Sequence, residues 1–250
     1  MITMDVGQGS AVLVDTRRRR LLFDAGPRYP SGFDLGAQVV VPTIVATGPP
    51  RLDALVISHA DIDHRGGMAA VLGSVPVGEV YESRPEPGFS RCAAGQSWRW
   101  DGVEFRFLHP PVPERARAVG SNDGSCVLLI DNGRERVLLP GDIGAAVEGQ
   151  LLRELDPVRV VMAAHHGSAS SSSRAFVRVL EPDVVLISAG RLNRYGHPHP
   201  DVVGRFEDVG ASVHVTAFHG ALEWDSRRPW AVRRWRLDRQ RYWAQRLETE

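Results

Sequence analysis

Four side chains that can bind a metal ion stand close together in one short segment. Residues 58–67 read SHADIDHRGG and contain His59, Asp61, Asp63 and His64. Imidazole nitrogens and carboxylate oxygens on a loop that leaves a buried strand can point into one small volume, which a rigid scaffold then fixes. A solvated polar turn would explain one His-x-Asp pair, but this crowding of ligand types before two glycines predicts a metal site.

The segment follows a strand-like run within a repeated order of elements. Residues 52–58, LDALVIS, form the nearly continuous apolar run that is typical of a strand buried on both faces. Two shorter strands, VLVD and LLFDAG, precede it, and SCVLLID, VLLPGD and VRVVMAAHHGS repeat the same order later. Laid over each other, the two copies align Asp24 with Asp142. They also align His59 with His165, so both sets of polar strand ends are expected at one edge.

Two such units predict the fold class. Two sheets of an α/β (α+β) chain that pack face to face, with helices outside, make a four-layered αββα sandwich. We expect one domain over residues 1–226, built from halves at about 1–110 and 115–226. An arginine- and tryptophan-rich tail is expected to follow at residues 227–250.

The composition limits the classes of protein to which the chain can belong. With 250 residues and 43% hydrophobic content it can bury a real core, so extended disorder is not expected. Thirty basic residues balance thirty acidic ones, and any nucleic-acid or membrane partner must therefore be bound by a local patch. The longest uncharged stretch, residues 35–50, is too short and too broken by proline to span a bilayer. The strand-like start of the chain indicates a domain cut from something longer.

The motifs, taken together, resemble a known family. HxDxDH followed by two glycines, with FDAG before it and PGD after it, is similar to the metallo-β-lactamase superfamily, whose αββα sandwich commonly binds two metals at one edge. DVGQG, SHADIDHRGG, HHGS and GHPHP, in this order, resemble more closely the C-terminal metallo-β-lactamase-like domain of the ComEC family. That family forms the inner-membrane DNA channel of bacterial competence. The resemblance extends from Met1 to about Trp243.

The resemblance implies roles for the clustered residues. His59 and Asp61 match the positions that hold the first metal, and Asp63 and His64 match those that hold the second. Asp142, in LLPGD, matches the residue that bridges both metals.

A last ligand is expected from GHPHP, which offers His197 and His199. We favour His197, because Gly196 lets the backbone turn sharply there and Pro198 fixes the following bond. The sequence does not separate the two histidines, and the choice stays open.

Three residues are predicted to act in catalysis. His165 and His166 end the apolar strand of the second half, and one of them, with His166 favoured, is expected to orient or protonate a substrate phosphate. Asp63 is the third. Ser168 is a further candidate for phosphate contact.

The chain also departs from the superfamily pattern. Asp61 stands where the superfamily usually has a second histidine, and Ser121, Asn122 and Asp123 stand where it supplies another. Asn122 or Asp123 is therefore an open candidate ligand. Oxygen ligands favour harder ions, so two divalent cations are expected with manganese and magnesium competing with zinc, and one site is expected to be weak.

The resemblance implies a function and partners. A water bridging two cations loses a proton near neutral pH, which predicts hydrolysis of a DNA phosphodiester by metal-bound hydroxide, with the non-transported strand as first candidate. The implied partners are DNA and the membrane channel and OB-type portions of the same full-length protein, and the implied location is the periplasmic face of the inner membrane. Two alternatives stay open: a non-catalytic module that guides DNA, and a stand-alone phosphoesterase for small molecules.

A second candidate for DNA contact is the run RRPWAVRRWRLDRQRYW at residues 227–243. Arginines for phosphates and aromatic rings for bases predict contact through Arg233, Arg234 and Trp235. The alternative is that the tryptophans pack the tail onto the sandwich and the arginines form its solvated face.

The two cysteines, Cys92 and Cys126, lack the spacing of a zinc pair. They are expected to be buried thiols, or to form a disulfide if the domain lies in an oxidising compartment.

Overall fold

The computed structural model describes residues 1–112 and 120–239. The strands in these residues are β1 (Ile2–Thr3), β2 (Val12–Asp15), β3 (Arg20–Phe23), β4 (Leu52–Ile57), β5 (Val77–Glu82), β6 (Ser90–Arg91), β7 (Ser97–Trp100), β8 (Val103–His109), β9 (Val127–Asp131), β10 (Arg136–Leu139), β11 (Val160–Met162), β12 (Val184–Ile187), β13 (Ser212–Val215), β14 (Leu222–Trp224) and β15 (Val232–Arg234). The helices are α1 (Val41–Thr47), α2 (Ile62–Arg65), α3 (Met68–Ser74), α4 (Ala145–Leu151), α5 (Arg174–Leu180), α6 (Pro200–Glu207), α7 (Thr216–His219) and α8 (Trp235–Asp238). Tighter or wider helical turns occupy Gly36–Val40, Asn122–Gly124 and Ala164–Gly167.

The described strands form two sheets that pack face to face. The first has the order β15-β14-β1-β2-β3-β4-β5-β6, and the second has the order β13-β12-β11-β10-β9-β8-β7. Apolar side chains fill the space between the sheets, and two further apolar clusters join each sheet to helices on its outer face. The architecture is the predicted four-layered αββα sandwich.

Strand β3 shows how the sequence builds these layers. Leu21 and Phe23 belong to the cluster between the sheets, whereas Leu22 belongs to the cluster under the outer helices. Successive side chains of a strand point to opposite faces, so an apolar residue at every position is required when both faces are covered. Ile44 of α1 and Val71 of α3 cover this sheet from outside.

The two sheets repeat one topology around the predicted site. Hairpin β2-β3 is followed by the parallel strand β4, and hairpin β9-β10 is followed by the parallel strand β11. Helix α1 lies in the first crossover and helix α4 in the second. The carboxyl ends of the parallel strands therefore meet at one edge of the sandwich.

The sheets do not coincide with the expected halves of the chain. Strands β7 and β8 precede residue 110 but belong to the second sheet, because β8 pairs with β9. Strands β14 and β15 return to the first sheet, because β14 pairs with β1. A hairpin joins whichever sheet offers it an open edge, and the strand pattern alone does not state which sheet that is.

A disulfide joins the two sheets close to the polar edge. Cys92, which follows β6, is bonded to Cys126, which precedes β9, with 6.0 Å between the Cα atoms. The Cys126 N–H donates to the Ser58 carbonyl at 2.8 Å. Of the two states open to these cysteines, the structure has the disulfide. No helix in residues 1–112 and 120–239 combines the length and apolar character needed to cross a bilayer.

Candidate metal centre

The predicted ligands meet where parallel strands end. Asp24 follows β3, His59 follows β4, Asp142 follows β10 and His165 follows β11. Each strand thus delivers one polar side chain to the same edge of the sandwich.

A single buried carboxylate occupies the middle of this edge. One oxygen of Asp142 lies 3.2 Å from Nε2 of His64. The other oxygen lies 3.6 Å from Nε2 of His166, 3.7 Å from that of His165 and 3.9 Å from that of His59. Four imidazole nitrogens therefore face one carboxylate, whose residue is only 4% exposed.

Two more carboxylates border the cluster. An oxygen of Asp63 lies 3.2 Å from Nε2 of His166 and 3.9 Å from that of His64. Asp61 is more exposed, and its nearest oxygen lies 3.7 Å from Nε2 of His59. The potential ligand atoms form two groups, and within each group they all lie within 4.8 Å of one another. One group consists of His59, His64 and Asp142. The other consists of Asp63, His64 and His166.

Hydrogen bonds beneath the cluster determine which nitrogen of each histidine faces it. Asp24 accepts from Nδ1 of His64 at 2.7 Å and from the backbone N–H of Ser58 at 2.7 Å. The Ser58 hydroxyl donates to Asp24 at 3.1 Å. Because that hydroxyl has one hydrogen, it can only accept from Nδ1 of His59, which lies 2.9 Å away. Asp24 and Ser58 thereby occupy Nδ1 of both histidines, so that Nε2 of each faces the cluster.

His166 is oriented in the same way. Its Nδ1 donates to the Ser188 carbonyl at 2.9 Å, so its Nε2 faces Asp63. Nε2 of His59 is buried and has no hydrogen-bond partner. Imidazoles that are anchored through Nδ1 and turn Nε2 toward carboxylates are the arrangement that metal-binding histidines adopt. The residues present therefore fit a divalent metal.

Burial and charge act against each other at these groups. Burial alone would lower the pKa of His64, but the carboxylates of Asp142 and Asp24 outweigh it and raise that pKa well above its usual value. Burial would raise the pKa of Asp142, but His64 and His166 hold it far below its usual range. Burial, helped by neighbouring His64, lowers the pKa of His59. The centre thus keeps an anion in place and attracts positive charge.

The two glycines of SHADIDHRGG allow the cluster to form. The Ala25 N–H donates to the His64 carbonyl at 2.8 Å, and the Gly67 N–H donates to the Gly26 carbonyl at 2.9 Å. A Cβ atom at Gly67 would lie 2.2 Å from the Ala25 carbonyl oxygen, and one at Gly66 would lie 2.3 Å from the Arg28 nitrogen. Only glycine permits this approach, which seats the single turn of α2 and its His64 against the end of β3.

Comparison with known proteins agrees with this geometry. The sequence profile of the metallo-β-lactamase superfamily matches residues 4–191. The chain belongs to the metallo-β-lactamase superfamily. Members of this superfamily are typically metal-dependent hydrolases.

Two relatives extend the match over most of the chain. Competence protein ComA of Neisseria gonorrhoeae is 39% identical over 225 residues, which cover 88% of this chain and 31% of that protein. Recombination protein 2 of Haemophilus influenzae is 36% identical over 225 residues, which cover 88% of this chain and 28% of that protein. The chain therefore spans less than a third of the length of either relative. These matches confirm the predicted resemblance to the metallo-β-lactamase domain of competence proteins.

A solved structure shares the fold at low sequence identity. Igni18, a metallo hydrolase from the hyperthermophilic archaeon Ignicoccus hospitalis, has a TM-score of 0.59 at 17% identity. The match covers 90% of this chain and 99% of that one.

Within this metallo-β-lactamase domain, the two adjacent histidines differ from expectation. His166, favoured as the residue that contacts substrate, is 3% exposed and belongs to one of the two ligand groups. The side chain of His165 is 29% exposed, and its Nε2 lies 3.4 Å from Nδ2 of Asn122. Both have left-handed backbone conformations, with φ of 52° and 55°, which turn neighbouring rings in different directions. His165 is thus the more exposed of the two side chains.

The two candidate ligands of GHPHP, His197 and His199, lie in different surroundings. The His197 ring lies beside His165 and His166, at centroid distances of 5.6 Å and 6.3 Å, whereas the His199 ring caps α6 by accepting from the Asp201 N–H. Burial, followed by these two histidines, lowers the pKa of His197 to about 4. Of the two GHPHP histidines, only His197 therefore borders the cluster.

The candidate ligand Asp123 and the candidate phosphate contact Ser168 form hydrogen bonds outside the ligand cluster. Asp123 accepts from the Gly144 N–H at 2.9 Å, so its carboxylate supports the start of α4. The Ser168 hydroxyl pairs with that of Ser170 at 3.0 Å in an exposed turn beyond His166.

The arginine and tryptophan run is largely neutralised within the fold. Arg233 and the indole N–H of Trp235 both contact Glu223, and Arg234 pairs with Asp238. Arg233 and Trp235 line a cavity of about 730 Å³ together with the turn after β2, at the end of the sandwich opposite the metal centre. Among the described residues, Trp235 thus contacts the sandwich whereas Trp230 is 69% exposed, and contact of the tail with DNA stays a prediction. Tyr242 and Trp243 lie outside the described residues.

Sequence reasoning missed Asp24 and Ser188 as site residues. Asp24 was aligned with Asp142 by the repeat, but its contact with His64 was not anticipated. The signal was the requirement that a metal-binding histidine have a partner for Nδ1. Ser188 contributes only its backbone carbonyl, which no side-chain pattern reveals.

Proposed function

We propose that this chain is the metal-dependent phosphodiesterase domain of a competence protein and that it hydrolyses DNA. The observation that carries the proposal is the anchored donor set, in which Asp24, Ser58 and Ser188 direct three imidazole Nε2 atoms toward Asp142. Such preorganisation serves chemistry at a metal, because the ligands need not rearrange when charge develops.

We propose that the centre holds two divalent cations. His59, Asp61 and Asp142 would hold one, and Asp63, His64, His166 and Asp142 would hold the other. The oxygen-rich first group favours manganese or magnesium beside zinc, and one site is expected to bind more weakly. Bound cations supply charge stabilisation on the phosphoryl oxygens and acidify a water.

The protein's own groups determine how a phosphodiester is placed. His165 is the partly exposed histidine next to Asp142, and Asn122 lies beside it. An imidazole at this position can hold a phosphoryl oxygen or give a proton to the leaving alcohol. His166 is fixed at both nitrogens and keeps the ligand geometry instead.

DNA is proposed as substrate because one relative is a competence protein and another a recombination protein. The proposed partners are DNA and the remaining parts of a longer protein, including a membrane channel. The disulfide supports a position on the periplasmic side, because disulfides persist in oxidising compartments.

One experiment tests hydrolysis directly. The chain is purified without chelator, its metal content is measured, and single- and double-stranded DNA are incubated with protein loaded with manganese, zinc or magnesium. We expect strand cleavage that EDTA abolishes and that Asp63→Ala and His64→Ala reduce by at least about 100-fold, since each removes a proposed ligand.

Asp156→Ala is the matched control, since that carboxylate is exposed and paired with Arg136 far from the centre. Intact DNA with every metal, with Asp63→Ala indistinguishable from the parent, would refute the nuclease function. Turnover of a small phosphodiester but not of DNA would identify the small-molecule phosphoesterase instead. Metal binding and DNA binding without cleavage would identify the guiding module.

A further inference from the structure

Two exposed loops beside the metal centre present large apolar and cationic side chains to solvent. We call these side chains the rim: Tyr29, Phe33, Arg191, Leu192, Arg194 and Tyr195. The exposed fractions of the four apolar or aromatic members are 40% for Tyr29, 53% for Phe33, 94% for Leu192 and 55% for Tyr195. Single exposed apolar residues are ordinary, but several around one site indicate a binding surface.

The rim borders the metal centre through the DVGQG loop. Gln8 accepts from the Gly190 N–H at 3.1 Å, and its amide nitrogen lies 3.4 Å from Nδ1 of His197. At Gly7 of the same loop, the Tyr29 hydroxyl lies 3.6 Å from the position that a Cβ atom would occupy. The loop itself is tied to the centre, since the Ser10 N–H donates to the Asp63 carbonyl at 3.1 Å.

Tyr195 continues a row of rings that leads to the centre. Its ring is stacked on that of His197 at 5.6 Å, with 25° between the planes. The His197 ring is in turn stacked on that of His166 at 6.3 Å, with 26° between the planes. Tyr195 is thus a half-exposed ring that one side chain, His197, separates from the ligand cluster.

The cations of the rim have no acidic partner within the described part of the chain. Neither Arg191 nor Arg194 has a carboxylate of residues 1–112 or 120–239 within 4.0 Å. Arg194 instead contacts the adjacent tyrosine, donating to its hydroxyl at 2.7 Å and lying 4.9 Å from its ring centroid. This contrasts with Arg233 and Arg234, which are paired with carboxylates. Positive charge that the fold does not neutralise is available to an anionic ligand.

Leu192 adds an observation of a different kind. It combines 94% exposure with a left-handed backbone, at φ of 55°. Because the leucine side chain is not buried, it contributes no apolar stabilisation to the fold, and its left-handed backbone conformation is unfavourable for leucine. A ligand that covers this side chain would account for its presence.

We propose that the rim binds unpaired nucleotides of the DNA strand whose phosphodiester enters the metal centre. Tyr195, Leu192 and the Tyr29 and Phe33 pair receive bases, and Arg191 and Arg194 face phosphates. Stacking on aromatic faces requires bases that are not already stacked and paired within a duplex, so the rim selects single-stranded DNA. This inference rests on the proposed nuclease function and names the form of its substrate.

Binding without metal tests the rim separately from catalysis. The full chain in EDTA is titrated into a fluorescein-labelled oligothymidylate of about 12 nucleotides, within the range of single-strand site sizes, and anisotropy gives Kd. Arg194→Ala/Tyr195→Ala is expected to raise Kd by about 10-fold, and Tyr195→Phe, which keeps the ring, by less than about 2-fold. Arg194→Ala alone is expected to lower the slope of log K against log salt by roughly 0.7, since one phosphate contact is lost.

Three comparisons make the result specific. Arg153→Ala removes an exposed arginine from the outer side of the second half and is expected to leave Kd unchanged. Arg233→Ala/Trp235→Ala tests the competing patch, and a larger loss there than in the rim variant would overturn the proposal. So would an equal loss of affinity for a blunt duplex, or no binding of the oligothymidylate by the parent protein at low salt.

The two proposals can fail separately. If manganese-loaded protein binds single strands through the rim but cuts no DNA, the nuclease function is wrong and the rim is correct. If the protein cuts DNA while Arg194→Ala/Tyr195→Ala binds and cuts single strands like the parent, the rim alone is wrong.

Discussion

At the scale of single residues, Asp24 determines how His64 meets a metal. Its carboxylate accepts a hydrogen bond from Nδ1 of His64 at 2.7 Å. This contact makes Nε2 a stronger electron-pair donor to a cation. In Asp24→Asn the side chain keeps its size but loses the negative charge. We expect manganese or zinc affinity, measured by isothermal titration calorimetry, to fall about 10- to 100-fold, the usual cost of losing such a partner.

Asp53→Asn provides the control for this prediction. Asp53 also accepts from a backbone N–H, that of Arg20, but lies at the start of β4, away from the ligand cluster. Equal metal affinities for Asp24→Asn and the parent protein would show that His64 does not depend on Asp24 as a ligand.

The sequence predicts residues of the cluster better than it predicts their roles. His59, Asp63, His64 and Asp142 could be found because polar residues followed apolar strands whose ends must meet. The difference in burial between His165 and His166 could not, since both residues leave the strand in left-handed backbone conformations, which the alternation of a strand does not predict. Such a conformation depends on the packing of the whole strand end and leaves no pattern in the residue types.

At the scale of elements, Gly67 allows α3 to begin directly against β3. A Cβ atom there would lie 2.2 Å from the Ala25 carbonyl oxygen, which is backbone and cannot move aside cheaply. Gly67→Ala is therefore expected to lower the free energy of unfolding by about 1–3 kcal/mol, as overpacked sites do. Denaturant unfolding followed by circular dichroism measures the change.

The same helix offers a matched substitution. Gly73 is exposed in α3, and a Cβ atom there would meet nothing within 4 Å beyond its chain neighbours and its own helix. Gly73→Ala is expected to raise the free energy of unfolding by about 0.5–1 kcal/mol, because alanine favours the helix. Similar effects of the two alanines would contradict the close approach at Gly67.

A second prediction at this scale concerns β13 and its neighbours. Burial, with His219 and Arg234 nearby, lowers the pKa of His214 to about 4, against an opposing effect of Asp238. The unfolded imidazole takes up a proton below about pH 6.5, but the folded one does so only near pH 4. Unfolding therefore binds a proton in this window, and the folded state loses stability as the pH falls.

His214→Gln removes this contribution. Between pH 7 and pH 4.5, the parent is expected to lose roughly 1 kcal/mol more stability than the variant, a figure reduced for solvent screening of a half-exposed group. Guanidinium unfolding in EDTA at both pH values measures the difference without metal release. Parallel pH profiles would show that His214 titrates normally in the folded protein.

At the scale of the whole molecule, the layers could be predicted but the allocation of strands to sheets could not. Apolar runs and a repeated order of elements led to the αββα sandwich, because both faces of each sheet must be covered. Strands β7 and β8 joined the second sheet through Phe105 and Phe107, which pack between the sheets beside Trp98. That choice depends on contacts between distant segments, which short-range patterns do not contain.

The disulfide is a covalent cross-link between the two sheets, and it leads to a prediction for the molecule as a whole. The bond between Cys92 and Cys126 closes a loop with a sequence separation of 34 residues. By restricting the unfolded chain, a loop of this size is expected to stabilise the fold by about 3–4 kcal/mol. Reduction should therefore lower the free energy of unfolding by about that amount, measured by urea denaturation with and without reductant.

Cys92→Ala/Cys126→Ala should resemble the reduced parent protein and should not respond to reductant. Two titratable thiols in the denatured, unreduced protein would show that the bond had not formed, whereas a formed bond with equal stability in both states would show that the sheets hold together without it.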